Sequence, residues 1–295
     1  MKLLALLLGF FLERFATELL HLRELRWFDA YFDFGLTQAK KMRGAMVYVV
    51  AAALLLAPAV PVLLFSWWLL QTGVRWDLPY LIFAVFVVFF CLGPRDLGNE
   101  VDEYCAALEA DDDEAAHRVL TEIAEAEHPG AAIDVVEDAI FVQAANRIFG
   151  VVFWFVVLGP VGAWLFRVND LLRRRAAFES LRDPELTERV APAIDTVYAF
   201  LKWVPVRLAA LGYALTGSFD DAWNAWRGFL PEAGRPLHRS NDLILAAVGK
   251  AAMTGSLDEP SNSSAAARNA MRLVTRTVVL WMTLIALMTI FGWAV

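Results

Sequence analysis

Residues Gly44–Leu70 (GAMVYVVAAALLLAPAVPVLLFSWWLL) contain no charged side chain. A bilayer core about 30 Å thick is crossed by roughly 20 apolar helical residues, so this run by itself places the chain among integral membrane proteins. Pro58 and Pro61 each remove a backbone donor and predict a kink inside the run. Trp67 and Trp68 close it, where interfacial aromatics collect. Three further charge-free runs follow, at 78–93, 148–166 and 277–295. The predicted fold class is therefore all-α: a polytopic membrane protein with about four transmembrane helices, at 44–70, 78–93, 148–166 and 277–295, plus interfacial or amphipathic helices. The whole chain, 1–295, reads as a single membrane domain. An acidic helical loop (94–147) and a polar helical region (167–276) separate the spans. A hydrophobic content of 59% and a mean hydropathy of +0.50 agree with this class.

Two segments are ambiguous. Leu3–Leu12 is apolar over about half a bilayer at the helical rise, and Glu13 and Arg14 stop it. It reads as an interfacial or re-entrant helix. In 190–217, Ile194, Val197, Leu201, Val204, Leu208, Leu211 and Leu215 recur every three or four residues and form one apolar stripe. Asp195 and Lys202 lie off that stripe, and Pro205 predicts a bend. One reading is an amphipathic helix that lies stripe-down on the membrane or on other helices. The other is a helix dipping into the protein, with Asp195, Lys202 and Arg207 facing a polar cavity. Sidedness stays open. Lys40, Lys41 and Arg43 flank the first span and Arg173, Arg174 and Arg175 follow the third. Three crossings between them would put both clusters on opposite faces, against the positive-inside tendency. Either an extra crossing exists or one run is re-entrant. Most polar sequence is assigned to the cytoplasmic side.

Charge is unevenly spread. Residues 94–147 carry three Lys/Arg against fifteen Asp/Glu. So acidic a surface excludes nucleic-acid binding, which needs cations against phosphate. Asp111, Asp112, Asp113 and Glu114 follow one another, with Asp113 the expected cap of the helix that follows. The carboxylates of 96–138 offer hard oxygen ligands for a divalent cation, but adjacent side chains splay and no EF-hand spacing occurs. A solvated acidic face is the preferred reading; no metal site and no cofactor is expected. Cys91 and Cys105 form no Cys-x-x-Cys pair. P-loop and Gly-x-Ser-x-Gly motifs are absent, and no catalytic residue is assigned. Arg173, Arg174 and Arg175 read as a topogenic signal that meets lipid headgroups.

The stretch WVPVRLAALGYALTGSFDDAWNAW (Trp203–Trp226) resembles the signature of the AmpE family, inner-membrane proteins of Gram-negative bacteria associated with the AmpD–AmpE β-lactamase regulatory locus. Leu12-Glu13-Arg14-Phe15, Phe153-Trp154, Leu158–Gly162 and the closing apolar run resemble that family in order and spacing. Pro205, Arg207 and Leu208 also resemble the Ile-Pro-Ala-Arg-Leu motif of the wider CobD/CbiB group of cobinamide-phosphate synthases, as do Phe153-Trp154, Gly159 and Asn169-Asp170. The Arg-Asp-Thr and Ala-Glu-Asn motifs of those synthases are replaced here by the sequences at 127–134 and 143–147.

The resemblance implies a regulatory or sensory protein of the bacterial inner membrane, multi-pass and non-enzymatic. It would modulate β-lactamase induction in connection with cell-wall recycling, with membrane lipids, a cell-wall-derived ligand or AmpD as partners. Candidate ligand contacts are Arg207, Lys202, Asp195, Asn169 and Asp170. The rival is a membrane enzyme on the synthase-like scaffold that acts on an amphiphilic acid or phosphorylated substrate. There Arg207 would hold an anionic group, and Glu137 or Asp170 would assist through a divalent cation.

Overall fold

The structure, a computed structural model, describes residues 2–15, 28–71, 78–93, 96–124, 136–180, 183, 186, 188, 190–229, 237–254 and 263–291. From sequence, His128-Pro129-Gly130 predicts a break and 254–264 a flexible loop; the break lies outside these residues, and so does 255–262 of the loop. Among the described residues every regular element is helical. In chain order they are α1 (Lys2–Phe15), α2 (Asp29–Lys40), α3 (Ala45–Leu56), α4 (Ala59–Gln71), α5 (Leu78–Cys91), α6 (Leu97–Glu109) and α7 (Asp113–Ala124). Then come α8 (Val136–Ala144), a π-turn (Ala145–Phe149), α9 (Gly150–Leu158) and α10 (Pro160–Ser180). The series ends with α11 (Ala191–Thr216), α12 (Phe219–Gly228), α13 (Leu237–Met253) and α14 (Ser263–Ile290).

Among the described residues two helices are long and apolar enough to cross a membrane: Val136–Leu158, which runs through the π-turn, and Ser263–Ile290. A third arises if α3 and α4 count as one span, bent by 41°. The bend falls at Ala57-Pro58, where the sequence predicts it. Trp164 Nε1 donates to the Pro58 carbonyl there, at 3.0 Å. The run expected at 148–166 is divided. Gly159 has φ +67°, a left-handed conformation that ends α9, and Pro160 cannot donate to continue it. A Cβ on Gly162 would meet the Trp154 carbonyl oxygen at 2.2 Å, so the turn tolerates no side chain there. The crossing-length helix therefore starts twelve residues earlier than expected, at Val136. The runs at 2–12 and 78–91 are shorter apolar helices.

The chain forms two compact units. The first comprises 1–94, 150–201 and 288–295; the second comprises 95–149 and 202–287. In the first, α10 is the hub and touches α2, α3, α4, α5 and α9. Phe28, Phe32, Leu36, Val168, Leu172 and Ile194 share one core. Helix α1 lies on α5 so closely that a Cβ on Gly9 would meet Val88 Cγ1 at 2.6 Å.

In the second unit, Val101, Ile123, Phe141, Phe149, Tyr213 and Val274 belong to one core. Its close approaches use small residues. Gly249 of α13 faces the Phe141 ring, and Gly217 abuts the Ala252 carbonyl, which accepts the Ser218 amide at 2.8 Å. Helix α11 meets α14 at Gly212 and Thr277, where the Thr216 and Thr277 hydroxyls lie 2.8 Å apart. Small residues and hydroxyls of this kind let helix backbones pack closely in lipid.

One local expectation is corrected. The residue that caps α7 is Asp112, not Asp113: its Oδ1 accepts the Ala115 amide at 2.9 Å. Asp113 is already the first helical residue, because the chain turns at Asp111 through φ +54°. The apolar stripe of 190–217 is not one buried face. Ile194 is buried, yet Val204, Leu208, Leu211 and Leu215 are exposed, while Lys202, Ala209, Ala210, Gly212 and Ala214 are buried. From Val204 onward Val204, Leu208, Leu211 and Leu215 point outward, while Val206, Tyr213 and the small residues face inward. This is the arrangement of a helix bathed in an apolar medium rather than water.

Candidate functional site

Helix α11 carries a proline at 205. A helical residue there would donate to the carbonyl at position 201. That orphaned Leu201 oxygen is taken by Trp154 Nε1, at 3.0 Å. Near Pro205, through which α11 runs on as one helix, the second unit places two cations. Lys202 is buried, with 2% of its surface exposed, and donates to Asp242 Oδ1 of α13 at 2.5 Å. Arg207 is half-buried. It donates to Asn241 Oδ1 and, at 3.2 Å, to the Trp203 carbonyl, and its guanidinium lies 4.5 Å from the Trp203 ring centre. Asn241 is fully buried. Two adjacent residues of α13 thus receive two cations of α11, one as an ion pair and one as a charge-assisted hydrogen bond.

The second unit holds another buried pair. Arg147 sits in the π-turn and donates to Glu100 Oε2 of α6 at 2.7 Å, with both side chains about 4–5% exposed. Asn146 is buried beside it in sequence. The Gln143 Oε1 atom is buried without a hydrogen-bond partner among the described residues. Wide turns of this type recur at functional positions.

The first unit concentrates charge on one helix. Asp170 is fully buried and accepts from Arg167 at 3.0 Å and Arg174 at 2.7 Å, with Arg173 at 3.9 Å. Burial is the largest influence on this carboxyl and works to raise its pKa. Arg174, Arg167 and Arg173 together outweigh burial and hold it at about 2, below the ordinary 3.8. Three guanidinium groups leave no electrostatic room for a divalent cation there. Asn169 Nδ2 is buried without a hydrogen-bond partner among the described residues. Arg173 lies over the Tyr198 ring, 5.0 Å from its centre. Arg175 grips Asp33 with two donors, at 2.7 and 2.8 Å, and reaches Glu179 at 3.0 Å. The three arginines expected at lipid headgroups are thus engaged with side chains of their own unit. Asp195 is half-buried in the same unit.

Of the sequence candidates, Lys202 and Arg207 meet on one pair of α13 residues. Asn169 and Asp170 build the separate arginine cluster. Sequence reasoning missed Asn241, Asp242, Glu100 and Arg147. The one available signal was a lone Arg147 next to an apolar run. No group of three His, Cys, Asp or Glu side chains suited to a metal occurs among the described residues. Both cysteines are buried, and neither forms a disulfide among the described residues.

Relatives bear on these clusters. Cobalamin biosynthesis protein CobD of Stutzerimonas stutzeri is 28% identical over 178 residues, 58% of this chain and 55% of that protein. CobD of Chromobacterium violaceum is 29% identical over 196 residues, 65% of this chain and 58% of its own. The chain thus spans little more than half the length of these two relatives. Protein AmpE of Shigella flexneri is 25% identical over 230 residues, 75% of this chain and 77% of that protein. No solved structure matches. The family described as "Regulatory signalling modulator protein AmpE" matches residues 1–295, so that all three charge clusters, the π-turn and both crossing-length helices fall inside the match. The chain belongs to the AmpE family.

Proposed function

We propose that this chain is a regulatory, sensory protein of the bacterial inner membrane that crosses it about four times. Its role is to modulate β-lactamase induction in connection with cell-wall recycling. The whole-length family match supports this reading. The structural observation that carries it is the double link of α11 to α13, Lys202 to Asp242 and Arg207 to Asn241. A signal shifts a protein only through different affinity for two arrangements. A cell-wall-derived anion, or a partner such as AmpD, that competes for Lys202 or Arg207 would supply that difference. It would exchange internal contacts for external ones and release α11 from α13.

The test measures β-lactamase activity before and after an inducing β-lactam. Cells carry the gene intact, deleted, or as Arg207→Ala, with membrane levels matched by immunoblot. Altered induction in both changed strains is expected. Unchanged induction in the deletion strain overturns the regulatory reading.

A second reading is favoured by the two CobD relatives: a membrane enzyme on the synthase-like scaffold, acting on an amphiphilic acid or phosphorylated substrate. There the planar fork of Arg207 would bind the anionic group. Turnover, or a substrate-like ligand copurifying with the protein, decides for it.

A further inference from the structure

Helix α14 carries Arg268, Arg272 and Arg276 at four-residue spacing, which places them on one face. Arg268 is paired with Glu109 of α6. Arg272 and Arg276 are exposed and have no carboxylate partner among the described residues. Both line a groove of about 430 Å³ together with Asp102, Met271 and Thr275. Both also line a smaller cavity of about 110 Å³, into which Asn269 brings an amide. The larger volume falls in the range of small-molecule sites, roughly 300–1,000 Å³. One acid, Asp102, faces three arginines of which only Arg268 is already neutralised.

The same face changes character after Arg276. At the next helical positions stand Val279, Thr283 and Leu287, all exposed, with Val279 60% accessible. A pair of cations one turn apart is thus followed, on one continuous stripe, by an apolar track inside a helix long enough to cross a membrane.

We propose that Arg272 and Arg276 bind the phosphate head of an amphiphilic phosphomonoester, whose hydrocarbon chain lies along Val279 and Leu287. Two guanidinium forks about 5–6 Å apart at their Cβ atoms suit a group with three acceptor oxygens better than a carboxylate, which one fork satisfies. Two cations also match the double charge of a monoester, whereas a diester carries one. This site uses none of the residues that link α11 to α13, so it stands whether or not the regulatory reading does.

Binding is measured on the full-length protein purified in a non-ionic detergent. The probes are oleoyl lysophosphatidic acid, oleoyl lysophosphatidylcholine and inorganic phosphate. The monoester lipid is expected to saturate at one per chain. The choline diester of the same chain length should show no saturable binding, and inorganic phosphate should bind at least about ten-fold more weakly. The double variant Arg272→Gln/Arg276→Gln should lose about ten-fold or more, since two charge-assisted contacts go. Arg239→Gln, a change of equal charge at an exposed position of α13, should stay within about two-fold. Arg272→Lys/Arg276→Lys keeps both charges but not the forks, and intermediate affinity is expected. Unchanged affinity in the folded double Gln variant overturns the site. Inorganic phosphate binding as tightly as the lipid overturns the amphiphile.

Discussion

The two units bury charge in opposite ways. In the first, Asp170 and its arginines all lie within α10, three or four residues apart, and cations outnumber the anion. In the second, each buried cation finds a partner far along the chain: Arg147 reaches back to Glu100, Lys202 forward to Asp242, Arg207 to Asn241. A ladder inside one helix survives any movement of that helix as a body. A contact between helices does not: it must break when either one shifts. The Asp170 ladder is therefore built to stay together through a rearrangement, unlike the grip of Arg175 on Asp33 that joins α10 to α2. The second unit is built so that a rearrangement is felt as the loss of ion pairs. That contrast is why the switch is assigned to α11 and α13 rather than to the more highly charged cluster.

The largest test of the contrast is Asp170→Ala. Removing the anion takes from three arginines the carboxylate they share, and Arg167 among them is almost wholly surrounded by protein. The expected loss is about 3–5 kcal/mol, read as earlier thermal unfolding in detergent. A melting curve like that of the wild type would break the account of the first unit. In the second unit, Arg147→Met should cost about 3 kcal/mol by taking from buried Glu100 its guanidinium partner. Adding Glu100→Leu should restore most of that loss, because a buried ion pair can be replaced as a pair by apolar side chains. No recovery in the double variant would mean that Glu100 and Arg147 serve other groups.

The smallest effect is with acid. Asp170 has a folded pKa of about 2 against 3.8 for the free side chain, so the unfolded chain takes up its proton first. The stabilisation from this carboxylate is complete above about pH 4 and is lost as pH falls through about 2, some 2 kcal/mol in all. Acid titration of the melting temperature, compared with Asp170→Asn, isolates it: the variant should lack the part of the decline below about pH 4 that belongs to this group.

The helical class was legible because a charge-free run of bilayer length has few other uses, and the kink at Pro58 because proline removes a donor. The inverted face of α11 was not. A three-and-four spacing reveals a stripe but says nothing of the medium that the stripe meets, so a stripe of Val204, Leu208, Leu211 and Leu215 against the membrane and one against other helices read alike. The division of 148–166 turned on Gly159 adopting a left-handed backbone, a choice that Gly permits and sequence alone does not force. Lys202 and Arg207 were legible as charges in an apolar setting. Asn241 and Asp242 were not, since nothing in their own neighbourhood marks them as acceptors for side chains a helix away. For Arg174 and Arg175 the opposite holds. A triple arginine looked like a signal for lipid, yet Asp170 stood at four-residue spacing from Arg174, and that pair was readable.

The Lys202–Asp242 pair also has a consequence in time. The lysine is made forty residues before its partner. Until Asp242 has been synthesised, the tie that joins Lys202 of α11 to α13 cannot form. Helix α11 therefore emerges without that fastening. The contact comes only with α13, so a later-made helix completes the attachment of one translated before it.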